Sequence, residues 1–285
     1  MLERLCHLAC LTLLALAPLP AAAAGSPSYE RVSIGSAGDE QRLDGVLFRP
    51  AGRGPFPAVV ALHGCGGLWR QDGNLSARHA DWAQILTAAG YAVLLPDSYG
   101  SRGLGSQCGV RDISVRASRE RVGDAASARR WLQGQPGIKP DAISLLGWSG
   151  GGATVLAAIR KDRRPADGKP DFARAVAFYP GCRTQLESRD FAARLPALIL
   201  IGEADDWTPP TPCDLLAKAA RARGEPVELV LYPGAVHDFD HPRLALKQRK
   251  DIAFSATGTG SATVGTHPEA REDAIRRVRA FLGAP

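Results

Sequence analysis

Beyond residue 24 the chain has no segment apolar enough to span a bilayer, so no stable membrane insertion is expected. It has no internal repeat and no low-complexity linker, so nothing in it marks a second domain. It also lacks a block of like charge. The formal net charge is +6, but Arg111, Arg116, Arg119, Arg121, Arg129 and Arg130 are interleaved with acidic residues. That pattern reads as a solvated helix face, and no nucleic-acid partner is expected. Cysteine is scarce: there are six, and Cys6 and Cys10 lie in a leader-like N-terminus.

That N-terminus has the layout of a secretory signal peptide. Arg4 supplies positive charge, residues 11–19 form an apolar stretch broken by Pro18, and Ala22-Ala23-Ala24 offers a small-residue cleavage site before Gly25. Cys10 precedes most of the apolar stretch, which argues against a lipoprotein cleavage site. The expectation is a signal peptide at 1–24 and a single α/β domain at 25–285, exported to the periplasm or beyond. Cleavage leaves about 260 residues, a length at which α/β folds are routinely one domain. Cys65, Cys108, Cys182 and Cys213 remain. An even number in an exported protein favours disulfides, and four cysteines allow three pairings.

Apolar runs alternate with helical patterns along the chain. Residues 31–36 and 42–48 alternate like an antiparallel strand pair. Residues 57–62 and 91–95 are near-continuous apolar runs of the kind buried on both faces of a parallel sheet. Residues 74–89 and 111–133 read as helices around a glycine-rich loop at 98–110. Further strands are expected at 142–146, 174–178, 197–201 and 226–231, with helices at 152–159, 212–223 and 268–282. Strands alternating with helices predict a mostly parallel, doubly wound sheet, whose functional groups gather at the carboxyl ends of its strands. The segment 244–266 holds Lys247, Arg249, Lys250 and a Gly/Ser/Thr run, and reads as a loop or lid.

The most informative motif is Gly147-Trp148-Ser149-Gly150-Gly151. It is a G-x-S-x-G sequence with a strand before it and a helix after it, the context of a nucleophile elbow. A serine hydroxyl needs a base to take its proton, and the base needs a carboxylate to orient it. The chain supplies these in the order Ser, acid, His. An acidic pair, Asp205-Asp206, follows the strand at 197–201, and His237 follows the strand at 226–231. Asp205 is the favoured acid, with Asp206 as the competing choice. An oxyanion needs two donors: the Gly150 amide is one, and the glycine-rich His63-Gly64-Cys65-Gly66-Gly67 offers the second through the Cys65 amide, or that of Gly64.

With those residues in place, the chain resembles the dienelactone hydrolase family of α/β-hydrolases over residues 46–282. The likeness rests on His63-Gly64-Cys65-Gly66-Gly67, Pro96-Asp97-Ser98-Tyr99, the elbow, Gly202-Glu203-Ala204-Asp205 with Pro209, and His237-Asp238-Phe239. It implies an α/β-hydrolase fold and selects Asp205 over Asp206. It also implies an arginine that binds a substrate carboxylate after the fourth strand, a place that Arg102 matches. A second arginine expected four residues past the histidine is His241 here. The family's namesake enzymes use a cysteine nucleophile where this chain has Ser149. The implied neighbourhood of strands pairs Cys65 with Cys108 and Cys182 with Cys213, each tying loops near the site.

Together these readings predict an exported serine hydrolase for small carboxylic esters or lactones, working through an acyl-enzyme with no metal or organic cofactor. Two other readings compete. A binding protein on a retired hydrolase fold would have no need of all three groups. A metal-dependent hydrolase would use His237 and His241 of His237-Asp238-Phe239-Asp240-His241, but no second ligand cluster accompanies them.

Overall fold

The computed structural model describes residues 28–35, 42–188 and 191–283, so the signal peptide expected at 1–24 lies outside the described residues. Among the described residues no helix is long and apolar enough to cross a membrane.

An eight-stranded sheet forms the centre, in the order β1-β2-β4-β3-β5-β6-β7-β8. β1 (Glu30–Ile34) and β2 (Leu43–Phe48) pair antiparallel, and β2 pairs antiparallel with β4 (Ala92–Pro96). From β4 onward every pairing is parallel, through β3 (Phe56–Leu62), β5 (Ile138–Trp148), β6 (Ala175–Phe178), β7 (Ala197–Gly202) and β8 (Val227–Tyr232). The fold is therefore a mostly parallel α/β-hydrolase sheet flanked by helices. β4, β6 and β7 are buried along their whole length, which is why they read as unbroken apolar runs.

The helices are α1 (Ala77–Ala88), α2 (Glu120–Gln133), α3 (Gly150–Ala158), α4 (Arg183–Glu187), α5 (Pro210–Ala222) and α6 (Pro268–Leu282). α5 buries Cys213, Leu216, Ala217 and Ala220, and α6 buries Ala270, Ala274, Val278 and Leu282, each a one-sided stripe at helical spacing. Pro268 opens α6, and Gly283 closes it in the left-handed region at φ 75°.

Two stretches differ from the sequence reading. The helix expected over 111–133 begins only at Glu120. Val115 is buried, and the Glu120 carboxylate accepts a hydrogen bond from the Arg116 amide at 2.8 Å, so this segment is folded back as a capped turn. The segment 244–266 contains a second, two-stranded sheet of β9 (Lys247–Arg249) and β10 (Ala262–Val264). This hairpin lies beside the carboxyl ends of the late strands, where Val264 bridges to His237.

Candidate active site

The parallel strands β3, β4, β5, β7 and β8 all end at one edge of the sheet. His63, Asp97, Ser149, Asp205 and His237 follow those ends. The chain between β5 and α3 turns so sharply that only glycine fits at 147 and 151. A Cβ on Gly147 would lie 2.4 Å from Gly151 O, and one on Gly151 would lie 2.1 Å from Leu62 O. Ser149 itself has φ 52° and ψ −115°, a conformation that L residues rarely adopt. Backbone bonds hold it there: Ser149 N–H donates to Phe178 O at 2.9 Å, and Ala153 N–H donates to Ser149 O at 2.8 Å. Beneath it, Trp148 is fully buried and stacks on Phe178, with ring centroids 6.1 Å apart.

Ser149 lines a cleft of about 790 Å³ together with His237, Cys65, Arg78, Trp207 and His241, among others. This volume suits a small organic ligand. His237 is 1% exposed, and its Nδ1 lies 2.8 Å from Asp205 Oδ2. An ionised carboxylate only accepts, so Nδ1 carries the proton and Nε2 is the basic nitrogen. Asp205 is anchored in turn. Its Oδ1 accepts from the amides of Trp207 at 2.9 Å and Thr208 at 2.8 Å, and its Oδ2 accepts from Thr208 Oγ1 at 3.0 Å. The rings of Tyr179 and Trp207 lie 4.4 Å and 4.7 Å from the imidazole centroid. Burial by itself would lower the His237 pKa. The charge and hydrogen bond of Asp205 outweigh it, and the pKa is raised above 6.5.

Asp206 has different work. Its two oxygens accept from the amide and the hydroxyl of Thr263, at 2.7 Å and 2.8 Å, and so fasten β10 beside His237. Gly265 N–H then donates to His237 O at 3.1 Å.

The two expected oxyanion donors lie close together. A Cβ built on Gly150 would sit 3.7 Å from the Cys65 nitrogen, and among the described residues neither amide donates a hydrogen bond to the protein. The loop carrying Cys65 is set by the buried His63. Its Nδ1–H donates to Gly64 O at 2.8 Å, and its Nε2 accepts from Ser98 N–H at 3.2 Å. Burial and the charge of Arg121 hold the His63 pKa well below 6.5, so the ring is neutral and can make both bonds. Gly64 C=O and Cys65 N–H belong to one peptide unit, so His63 orients the donor directly.

The cysteines pair as Cys65–Cys108 and Cys182–Cys213, in the pattern that the family resemblance implied. The first bond joins the loop carrying Cys65 to a small apolar cluster of Cys108, Ile252 and Ala262, and so to the hairpin.

The two expected substrate-binding residues part company. His241 lines the cleft, half-buried, with its pKa lowered to about 4 by burial and by Arg78. Its Nδ1 accepts from the Arg243 amide at 3.0 Å. Arg102 is not among the cleft-lining residues. Its guanidinium pairs with both oxygens of Asp124 at 2.8 Å and 3.0 Å and donates to Ser98 O at 2.7 Å, which turns it toward α2. Among the described residues no group of three His, Cys, Asp or Glu side chains is placed to hold a metal ion.

One cluster beside the site had no sequence signal. Asp240 is fully buried and accepts from Trp82 Nε1 at 2.7 Å, Trp148 Nε1 at 2.8 Å and the Tyr179 hydroxyl. Arg78 pairs with Asp238 and also donates to Tyr179. The partners come from α1, β5 and the ends of β6 and β8, so no local motif could reveal them.

Comparison with known proteins agrees with this fold. The model of the dienelactone hydrolase family matches residues 43–284. An uncharacterized protein of Mycobacterium tuberculosis is 30% identical over 235 residues, covering 78% of this chain and 76% of its own. The butyrate-bound structure of Thermogutta terrifontis esterase 2 superposes with a TM-score of 0.63 at 21% identity, covering 90% of this chain and 94% of the esterase.

Proposed function

This chain belongs to the dienelactone hydrolase family and is a carboxylic ester hydrolase, and from that premise we propose that it is an exported serine enzyme cleaving small esters or lactones through Ser149, His237 and Asp205. The observation that carries the reading is the buried 2.8 Å contact between His237 Nδ1 and Asp205 Oδ2. It leaves Nε2 basic in the cleft that Ser149 lines from a strained turn.

Ser149 Oγ attacks the ester carbonyl while His237 Nε2 takes its proton. Asp205 keeps the ring in the required tautomer and stabilises the imidazolium. The amides of Gly150 and Cys65 receive the oxyanion. His237 then gives the proton to the leaving alkoxide, and a water, activated by the same imidazole, releases the acid from Ser149. The steps use three side chains, two backbone amides and one water.

The proposed substrate class is supported by the volume of the cleft, by the family and by the butyrate bound to the Thermogutta esterase. Export rests on the leader at 1–24 and on the two disulfides, which persist in oxidising compartments. The remainder, 25–285, is read as a single domain.

The test is hydrolysis of a panel of short-chain nitrophenyl esters by wild type and Ser149→Ala, with and without chelator. The expected result is activity that survives chelation and disappears with the hydroxyl. Activity persisting in Ser149→Ala would remove Ser149 as nucleophile, and loss on chelation would point to a metal.

A further inference from the structure

Arg121 is fully buried at the start of α2. A guanidinium stays protonated in any protein environment, so this is a fixed positive charge removed from water. Other arginines withdrawn from solvent here meet a carboxylate: Arg78 pairs with Asp238, Arg129 with Asp167 and Arg194 with Asp171. Among the described residues no carboxylate lies within salt-bridge distance of Arg121. The nearest candidate on its own helix, Asp124, is held by Arg102 through both oxygens. The Arg121 guanidinium instead lies over the Tyr99 ring, with its carbon 5.2 Å from the centroid. Its Nη2 donates to His63 O at 2.6 Å, while Nε and Nη1 are buried with no hydrogen-bond partner.

The location of this charge is specific. A Cβ built on Gly150 would lie 3.5 Å from Arg121 Nη1 and 3.7 Å from the Cys65 nitrogen. The guanidinium therefore lies beside Gly150, and the Cys65 amide lies close to the same point. Arg121 also holds, through His63 O, the loop whose next peptide unit carries the Cys65 amide.

We infer that Arg121 is a positioning residue of the oxyanion site, a buried cation that stabilises the oxyanion from beside the Cys65 and Gly150 amides and fixes the loop presenting one of them. The inference rests on the proposed serine mechanism. The oxyanion adds a counter-charge: in the resting protein Arg121 feels Asp124 only at a distance, that carboxylate being already paired with Arg102, and the tetrahedral intermediate supplies a second anion. The interaction grows as the carbonyl oxygen gains charge, so it acts on the transition state more than on the bound ester. Hydrogen bonds to the substrate are left to the amides.

The experiment compares wild type, Arg121→Met and Arg121→Lys, with Ser149→Ala as reference, on a short-chain nitrophenyl ester. The expected loss in Arg121→Met is about 30-fold in kcat with KM within about twofold, somewhat below the cost of removing an oxyanion donor outright. Inhibition by butylboronic acid, whose tetrahedral adduct on Ser149 is anionic, should weaken by a similar factor. Arg121→Lys keeps the charge and should recover kcat to within about fivefold of wild type. A folded Arg121→Met with kcat within threefold of wild type would falsify the inference, as would equal losses in the Met and Lys variants. Should the Met variant fail to fold, the Lys variant decides: kcat within fivefold supports a role for charge, and a 30-fold loss in a folded protein refutes it. If Ser149→Ala retains activity, the serine mechanism itself fails; if only the Arg121 variants are silent, that mechanism stands without this residue.

Discussion

Removing the Asp240 carboxylate should cost more than almost any other single truncation near the site. The side chain is fully buried and accepts from two indole nitrogens, at 2.7 Å and 2.8 Å, and from the Tyr179 hydroxyl, with Arg78 Nη1 3.9 Å away. Asp240→Ala strands those buried donors, at about 1–3 kcal/mol each. The expected loss is at least about 3 kcal/mol. For a domain near this size each kcal/mol lowers Tm by about 2–4 °C, so the drop should reach about 6–12 °C. Asp240→Asn is the control. Its amide oxygen can keep both indole bonds, and its NH2 can donate to the Tyr179 oxygen. Burial already pushes the Asp240 pKa upward, against the pull of Arg78, so the charge itself contributes little. Asn should therefore cost only about 1 kcal/mol. Thermal unfolding followed by circular dichroism reads both variants. An Ala variant melting within about 2 °C of wild type would refute the reasoning, as would an Asn variant as damaged as the Ala one.

Other outcomes follow from the same geometry. Because the folded-state pKa of His237 lies above 6.5, its base form appears only at higher pH, and kcat/KM should rise along an acid limb whose midpoint exceeds 6.5. The same shift means that its contribution to stability is complete below about 6.5 and is lost as pH climbs through the folded pKa. Asp205→Asn removes the largest influence that raises the His237 pKa, so the limb should move below that of wild type while kcat falls by about 10⁴-fold; an unmoved limb would contradict the assignment. Replacing Cys65 and Cys108 together by Ala should lower both Tm and kcat, because the bond closes a 43-residue separation and holds the loop proposed to present an oxyanion donor; chain-closure entropy puts the stability loss at up to about 4 kcal/mol. The matching Cys182/Cys213 replacement lies outside the cleft lining, and it should lower Tm while leaving kcat near wild type. Asp206→Ala should accelerate amide exchange at Thr263 and Gly265, at a cost of about 1–3 kcal/mol for the stranded donors; unchanged exchange would show that the carboxylate does not hold the hairpin.

What the sequence revealed about the fold was whatever is local. Buried parallel strands leave unbroken apolar runs, and sharp turns leave glycines. The strands at 57–62 and 91–95 and the elbow at 147–151 were legible for those reasons. Asp205 and His237 were readable because each follows a strand that ends at the same edge. Long-range capture was not readable. Arg102 stands at the place where the family resemblance implies a carboxylate ligand, yet Asp124, 22 residues further on, holds it at α2. The hairpin at 247–264 was hidden because each strand has three residues and the anchor, Asp206, lies some 57 positions from Thr263. Arg121 looked like one more charge on a solvated face, and only the fold shows that it is fully buried.

The placement of β10 beside His237 sets an order in time. A ribosome that has completed Tyr232 has already supplied all eight strands of the large sheet and Ser149 on its turn. His237 and the strand that pins it are still to come, as is the Leu282 carbonyl that accepts from the Tyr91 hydroxyl at 2.8 Å. A chain cut short after Tyr232 would therefore possess a whole sheet and no base. On this reading, the segment beyond Tyr232 supplies the means of activating a serine that the earlier chain has already placed on its turn.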